Sequence, residues 1–207
     1  MRTRKTTIVL ISGKAGSGKT TLKNILYAKL GELEGLYLKE YSFASPLKYM
    51  AKAFLGWNEE KDDRGRKLLQ NLGKVGREYD ESIWVKHMLN QLDKTAGVFP
   101  FNFVLIDDWR FPDELKFLRE NPIFDIITIR VIGRGGLEGE NANDASELSL
   151  PETIIEDLHN SVEHTFSDGN KASEIYNYVI DNSGNLENLT SKVDIILPEI
   201  RKQYIVE

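Results

Sequence analysis

Cysteine is missing from all 207 residues, which removes disulfides, thiolate metal sites and cysteine nucleophiles from consideration. Long apolar runs are missing too, since no stretch approaches the roughly 20 residues that a bilayer span requires. The basic opening Met1-Arg-Thr-Arg-Lys5 is followed by only four consecutive aliphatic residues, Ile8-Val-Leu-Ile11. That is too short for the core of an export signal, and it leads directly into a glycine-rich loop, so it reads as a strand. The expected compartment is the cytoplasm, with no membrane partner. Lysine and arginine are absent between Gly135 and Asn170, a stretch holding nine acidic residues. Net charge is −5, so the rest of the chain stands at +4. A basic body with an acidic segment suits small phosphorylated anions better than a nucleic-acid groove. Taken on charge alone, the acidic stretch is a solvated loop.

What is present alternates between strand and helix signals, which predicts an α/β fold with a mostly parallel sheet in a single domain over residues 1–207. Strands are expected at Thr6–Ser12, Tyr37–Ala44, Phe103–Ile106, Asp125–Ile132 and Glu174–Ile180. A helix over Gly18–Leu30 carries Leu22, Ile25, Leu26 and Leu30. Another opens at Ser45-Pro46 with Leu47, Met50, Ala51, Phe54 and Leu55 inward. Leu68, Leu69, Leu72 and Val75 recur at helical spacing, and further helices are expected over Glu81–Lys94, from Pro112, and from about Asn185. Residues 133–169 show no clear periodicity, and a long segment of that kind inside a domain is functional or disordered.

The residues Gly13-Lys-Ala-Gly-Ser-Gly-Lys-Thr20 match the P-loop at every required position, between an apolar strand and an amphipathic helix. Glycines at Gly13, Gly16 and Gly18 let backbone N–H groups turn inward around a phosphate, and the helix N-terminus adds its partial positive charge. Gly13, Lys14, Ala15, Gly16, Ser17, Gly18, Lys19, Thr20 and Thr21 are therefore the candidate ATP-binding residues. Lys19 is expected on the β- and γ-phosphates, with the Thr20 hydroxyl on magnesium. Asp107 ends the third strand at the carboxyl edge, where such sheets bind ligands, and joins Thr20 as a candidate for orienting Mg2+. Asp108 and Arg110 either face substrate or belong to a strand-end turn in which Asp108 caps the helix at Pro112.

Six segments stand in one order along the chain: Ser12 to Thr21, Phe43-Ala-Ser-Pro-Leu-Lys48, Leu68-Leu-Gln-Asn-Leu-Gly73, Ile83-Trp-Val-Lys86, Asp108 to Glu114, and Val179-Ile-Asp-Asn182. That succession resembles the phage-type deoxynucleoside monophosphate kinases, within the wider nucleoside monophosphate kinase group, over nearly the whole chain. The resemblance implies the P-loop nucleoside triphosphate hydrolase fold with a five-stranded parallel core. It also implies a helical monophosphate-binding region over about 45–97 and a lid over about 133–170. The implied reaction moves the γ-phosphoryl group of ATP to a 5′-monophosphate, with nucleotides as partners and a homodimer left open. One departure is visible: Asp157-Leu-His159-Asn-Ser161-Val-Glu163 has an extra residue before the glutamate of the motif this family carries near its lid.

Lys19, Arg110, Arg134 and Asp108 are then the candidate catalytic residues, because guanidinium forks match phosphate oxygens. Lys14 is placed to assist. Phe43, Lys48, Arg77, Trp84, Asp108 and Arg110 are the candidate acceptor-binding residues, with Arg64 or Arg66 as additions. Phe43 and Trp84 either flank a base or are core aromatics, and His159 is a surface histidine or a catalyst. Arg130, mid-strand, reads as a structural ion-pair partner. The competing functions are a P-loop kinase of another small molecule, such as dephospho-coenzyme A, and a non-catalytic nucleotide-binding module.

Overall fold

The computed structural model describes residues 5–96, 101–137, 142–150, 162–164 and 175–202, with side chains left out at 93–96 and 162–164. The elements run β1 (Thr6–Ser12), α1 (Lys19–Gly31), β2 (Leu38–Tyr41), α2 (Ser45–Leu55), α3 (Asp63–Tyr79), α4 (Ile83–Ala96), β3 (Phe103–Ile106), α5 (Pro112–Arg119), β4 (Phe124–Ile132), α6 (Ala145–Leu148), β5 (Val162–His164), β6 (Tyr178–Asp181) and α7 (Leu186–Lys202). The sheet order is β2-β3-β1-β4-β6-β5. The first five strands of that order are mutually parallel, and β5 is added antiparallel at the edge. This is the P-loop fold: a five-stranded parallel sheet flanked by helices, with the loop strand in the middle. The antiparallel β5 falls within the stretch that showed no periodicity in the sequence. No helix among the described residues is long and apolar enough to cross a membrane.

The middle strand is apolar because it is covered twice. Ile8 and Leu10 pack with Val104, Ile106, Leu47, Val85, Met88 and Leu115 on one face of the sheet. Val9 and Ile11 pack with Leu22, Leu26, Leu30, Val193 and Ile196 of α1 and α7 on the other. All four β1 side chains are fully buried, each worth roughly 1.5–3 kcal/mol on removal from water. The register sets Leu10 against Ile106 of β3 and Ser12 against Arg130 of β4. The turns that follow β1, β3 and β4 therefore leave from one edge of the sheet.

Four expectations shift. The strand expected over Glu174–Ile180 is found at Tyr178–Asp181. The second strand stops at Tyr41 because Ser42, Phe43 and Ala44 are drawn into a turn by the Asp108 carboxylate. That carboxylate accepts from Ser42 Oγ (2.6 Å), Phe43 N (3.1 Å) and Ala44 N (2.9 Å). On α2, Leu47 and Ala51 are buried, whereas Phe54 and Leu55 are exposed. The last turn of α2 lies outside the core, and Phe54 sets its ring edge-on to Tyr49 instead. On α3, Leu69 and Leu72 pack against the core, but Val75 faces solvent. The face of α3 that approaches α4 is made by glycine. A Cβ on Gly76 would lie 2.0 Å from Trp84 Cζ2.

That contact generates a prediction with competing signs. Alanine in place of Gly76 gains about 1 kcal/mol of helix propensity, but overpacking against a rigid indole costs about 1–3 kcal/mol. Because Trp84 is also tied by Nε1 to Gly73 O (3.2 Å), it has little room to give. Gly76→Ala should lower the melting temperature by about 2–6 °C. A melting temperature raised by the substitution would show that α3 and α4 separate freely.

Candidate active site

The loop after β1 is held open by backbone that only glycine can supply. A Cβ on Gly13 would sit 2.5 Å from Ser17 Oγ and 2.6 Å from Val131 O, and one on Gly18 would sit 2.2 Å from Asn182 Nδ2. Gly18 takes a left-handed conformation (φ 97°) at the start of α1, and no side chain caps that end. The backbone donors there lie at the positive end of the helix dipole, where negative charge is favoured. Asn182 braces the loop from behind, its Nδ2 donating to Ser17 O (2.8 Å). Lys14 and Gly16 are exposed, Ala15 is half-buried, Ser17 is buried, and Thr21 lies exposed in the first turn of α1.

Lys19 folds back over the loop, its Nζ donating to Gly13 O and Lys14 O, each at 2.7 Å. Burial, and then the charge of Arg110, push its ammonium pKa down to about 8, against opposing fields from Glu147 and Asp107. Thr20 Oγ1 donates to Asp107 Oδ2 (2.7 Å), so the hydroxyl and carboxylate expected to serve a metal stand side by side. Among the described residues no cluster of three metal-ligating side chains occurs. One hydroxyl and one carboxylate fit Mg2+, which keeps several waters and takes other ligands from substrate phosphates. Lys23, one turn beyond Lys19, lies 3.4 Å from Asp107 Oδ1 and 3.4 Å from Glu40 Oε2. It was not anticipated, because its carboxylate partners lie in β2 and just after β3.

Three cations converge in front of the loop. Arg110 Nη1 donates to Ser146 O (2.9 Å) and to Glu147 Oε1. Its own backbone N–H donates to Glu114 (2.9 Å), so Glu114 holds the chain at Arg110 while the guanidinium reaches away. Arg130 is 5% exposed, no carboxylate pairs with it among the described residues, and its Nε has no acceptor. Its guanidinium lies 5.9 Å from the Tyr176 ring and near enough to Lys19 to help depress that ammonium. An arginine in a doubly covered strand was itself a signal, because buried charge needs a partner or a ligand. Arg134 lines a cavity with Lys14 and Arg130, while its guanidinium is committed to backbone carbonyls. Nε donates to Asn182 O and Nη2 to Gly184 O, bracing the turn between β6 and α7.

Beside this cluster a cleft runs between α2, α3 and the end of β3. Phe43, Leu47, Leu69 and Trp84 line it together with Lys48 and Arg110. Phe43 and Trp84 are 3% and 7% exposed, so both are core aromatics that also bound the cleft. Lys61 and Arg66 line it as well, whereas Arg64 is exposed. Burial, and then the charges of Lys48 and Arg66, lower the Lys61 pKa. Lys61 sits in a loop without periodicity, which hid it from sequence reasoning. Arg77 stacks over the Phe111 ring at 3.8 Å. Asp108 does not cap α5. It anchors the β2–α2 turn, and α5 begins instead with Pro112 at its first position and Glu114 turned back on the backbone of Arg110 and Phe111. His159 and most of the expected lid lie outside the described residues, and Glu163 is described only as backbone in β5.

No family model matches the chain. A stretch of 117 residues, 56% of the chain, is 32% identical to the uncharacterized protein ORF77 of Ictalurid herpesvirus 1 (strain Auburn), and it covers 48% of that protein. The match therefore spans about half of that relative's length. Among solved structures, a sugar kinase from a Janibacter species aligns at 16% identity over 96% of this chain and 98% of its own, with a TM-score of 0.46. A gluconokinase from Sinorhizobium meliloti aligns at 15% over 98% and 97%, with a TM-score of 0.44. An APS kinase from Mycobacterium tuberculosis aligns at 14% over 95% and 99%, with a TM-score of 0.42. The fold assignment rests on strand order and loop geometry rather than on these likenesses.

Glu114 sets a pH dependence. Its carboxyl is 6% exposed, and burial pushes its pKa from 4.5 to about 8, against the pull of the two backbone N–H donors. The folded protein therefore keeps a proton that the unfolded chain releases near its ordinary value, so stability falls as pH rises through that window. The slope approaches about 1.4 kcal/mol per pH unit between pH 5 and 8. Glu114→Gln keeps an acceptor for both N–H groups and should flatten the slope in denaturant unfolding. An unchanged slope would assign the dependence to another group.

Proposed function

We propose that this chain is a phosphotransferase that moves the γ-phosphoryl group of ATP to a (deoxy)nucleoside 5′-monophosphate. The observation that carries the reading is the shared position of Arg110. Its guanidinium meets Glu147, whose other oxygen rests on the P-loop, and the same arginine lines the cleft between α2 and α3. A donor phosphate on the loop and an acceptor phosphate in the cleft would both come within its reach. Phosphoryl transfer depends on alignment and charge neutralisation more than on covalent help from the protein. Lys19, Arg110 and Arg130 supply cations on the donor side, and Lys48, Lys61 and Arg66 supply them on the acceptor side. Apolar walls at Phe43, Leu47, Leu69 and Trp84 suit a planar base more than a polyhydroxylated sugar, which calls for several polar side chains. The ordered segments shared with the phage-type kinases point to a deoxynucleotide. Mg2+ would be held by Thr20 and Asp107, where it neutralises phosphate charge.

The test is ATP turnover against each common deoxynucleoside and ribonucleoside monophosphate and against dephospho-coenzyme A. ADP should form only with a nucleoside monophosphate, with at least one deoxynucleotide preferred. Turnover of dephospho-coenzyme A alone would favour another small-molecule kinase, and no turnover with any acceptor would favour a non-catalytic module. Lys19→Ala should remain folded by circular dichroism yet lose roughly 10²-fold or more in turnover.

Arg110→Ala should lose about 2–4 kcal/mol in kcat/KM, comparable to deleting other preorganised electrostatic contacts. Arg110→Lys should stay strongly impaired, because the ammonium lacks the planar fork. An unchanged kcat with a small drop in melting temperature would leave Arg110 a structural role only.

A further inference from the structure

Glu147 is an acidic residue among the cations Lys19, Arg110 and Arg130. It lies on α6, a four-residue helix capped by Asp144, whose carboxylate accepts from Ser146 N (2.8 Å). Its side chain is 7% exposed. One carboxylate oxygen accepts from the backbone N–H of Ala15 inside the P-loop (3.3 Å), and the other accepts from the Arg110 guanidinium. Lys19 stands within its electrostatic field. A loop N–H, a guanidinium fork and the P-loop ammonium are the groups that a terminal phosphate of a bound nucleotide would receive. The carboxylate has the charge sign and planar pair of oxygens to take that place, at lower charge. The residues just after β4 approach the same part of the loop: Gly136 N donates to Ala15 O (2.8 Å), and a Cβ on Gly135 would lie 2.3 Å from that same oxygen. The strap from Gly133 to Gly136 is therefore seated directly on the loop.

We propose that Glu147 is a built-in anionic placeholder that occupies the position of the donor's terminal phosphate and must be expelled when a nucleoside triphosphate binds. The proposal rests on the functional reading above and goes beyond it in assigning a competitor carried by the chain itself. In the empty protein the placeholder keeps Arg110 and the Ala15 N–H satisfied and keeps Arg110 aimed at the loop. A triphosphate competes with it directly, because two anions cannot share those donors. A diphosphate, which lacks the terminal group, leaves it seated. The carboxylate thus narrows the affinity advantage of triphosphate over diphosphate, which eases exchange of product for fresh donor.

The experiment is calorimetric titration of wild type, Glu147→Gln and Glu147→Ala with ATP and with ADP, in the presence of Mg2+ and without acceptor. Melting curves on the same samples establish that each variant is folded. Both variants should bind ATP about 3- to 10-fold more tightly than wild type, while their ADP affinity stays within about twofold. The amide variant loses the charge but keeps a hydrogen-bonding side chain, and the alanine variant loses both, so agreement between them assigns the effect to removal of the anion. ATP affinity that is unchanged or weaker in both folded variants would overturn the proposal and make Glu147 a positioning residue for Arg110. If wild type bound neither nucleotide, the functional reading would fail, and the placeholder with it.

Discussion

Crowded positive charge at the carboxyl edge of the sheet is the constraint that the rest of the structure answers to. Burial first, and then the charge of Arg110 with a smaller contribution from Arg130, depresses the Lys19 ammonium to about 8. Like charges do not gather in a folded protein without compensation. Here compensation comes piecemeal, from the carbonyls of Gly13 and Lys14 for Lys19, Glu147 for Arg110, and the Tyr176 ring at a distance for Arg130. None of these equals what a phosphate chain would give, since a phosphate presents several charged oxygens to the whole cluster at once.

Holding such a cluster together requires a rigid platform, and β1 supplies it. Four side chains buried to both faces of the sheet, with hydrogen-bonded neighbours on either side, fix the point from which the loop departs. Asn182 at the end of β6 and the strap after β4 then clamp the loop from outside. The carboxylates nearest the cleft serve the scaffold. Asp108 binds the β2–α2 turn, and Glu114 binds the backbone at Arg110 and Phe111. Both lie beside cations that they do not neutralise through direct side-chain pairs. The cleft lining sets three acidic residues, Asp108, Glu114 and Glu147, against five cations, Lys48, Lys61, Arg66, Arg77 and Arg110.

Particular residues show how far the sequence could be read. The P-loop was legible because its glycine spacing, entering strand and leaving helix are all local, and Asp107 because an acid ending an apolar run marks a strand's exit. The two-faced cover of β1 followed from an apolar run without alternation. The end of β2 was not legible, because the Ser42–Ala44 turn depends on a carboxylate 64 to 66 residues further on. Glu147 was not legible for the same reason, since its contact with Ala15 spans 132 residues. Phe54 and Val75 misled in another way. Their spacing marks a helical face, but only the surrounding packing decides whether that turn of the helix meets the core. Arg130 could have been found, had mid-strand burial been set against its charge.

The division between acidic and basic residues bears on how the site responds to its ligands. Burial keeps Glu114 largely protonated below about pH 8, so at neutral pH it contributes little negative charge to the cleft while still accepting two backbone hydrogen bonds. Asp108 directs both oxygens into the β2–α2 turn. Among the carboxylates of the cleft lining, Glu147 differs in that both its oxygens meet groups suited to a phosphate: a loop N–H and an arginine fork. Its helix is a single turn anchored through Asp144 with no buried residue of its own, whereas moving Asp108 would release the turn that opens α2 and moving Glu114 would release the start of α5. An anion entering the site meets least resistance from the carboxylate whose displacement leaves the sheet and its helices intact.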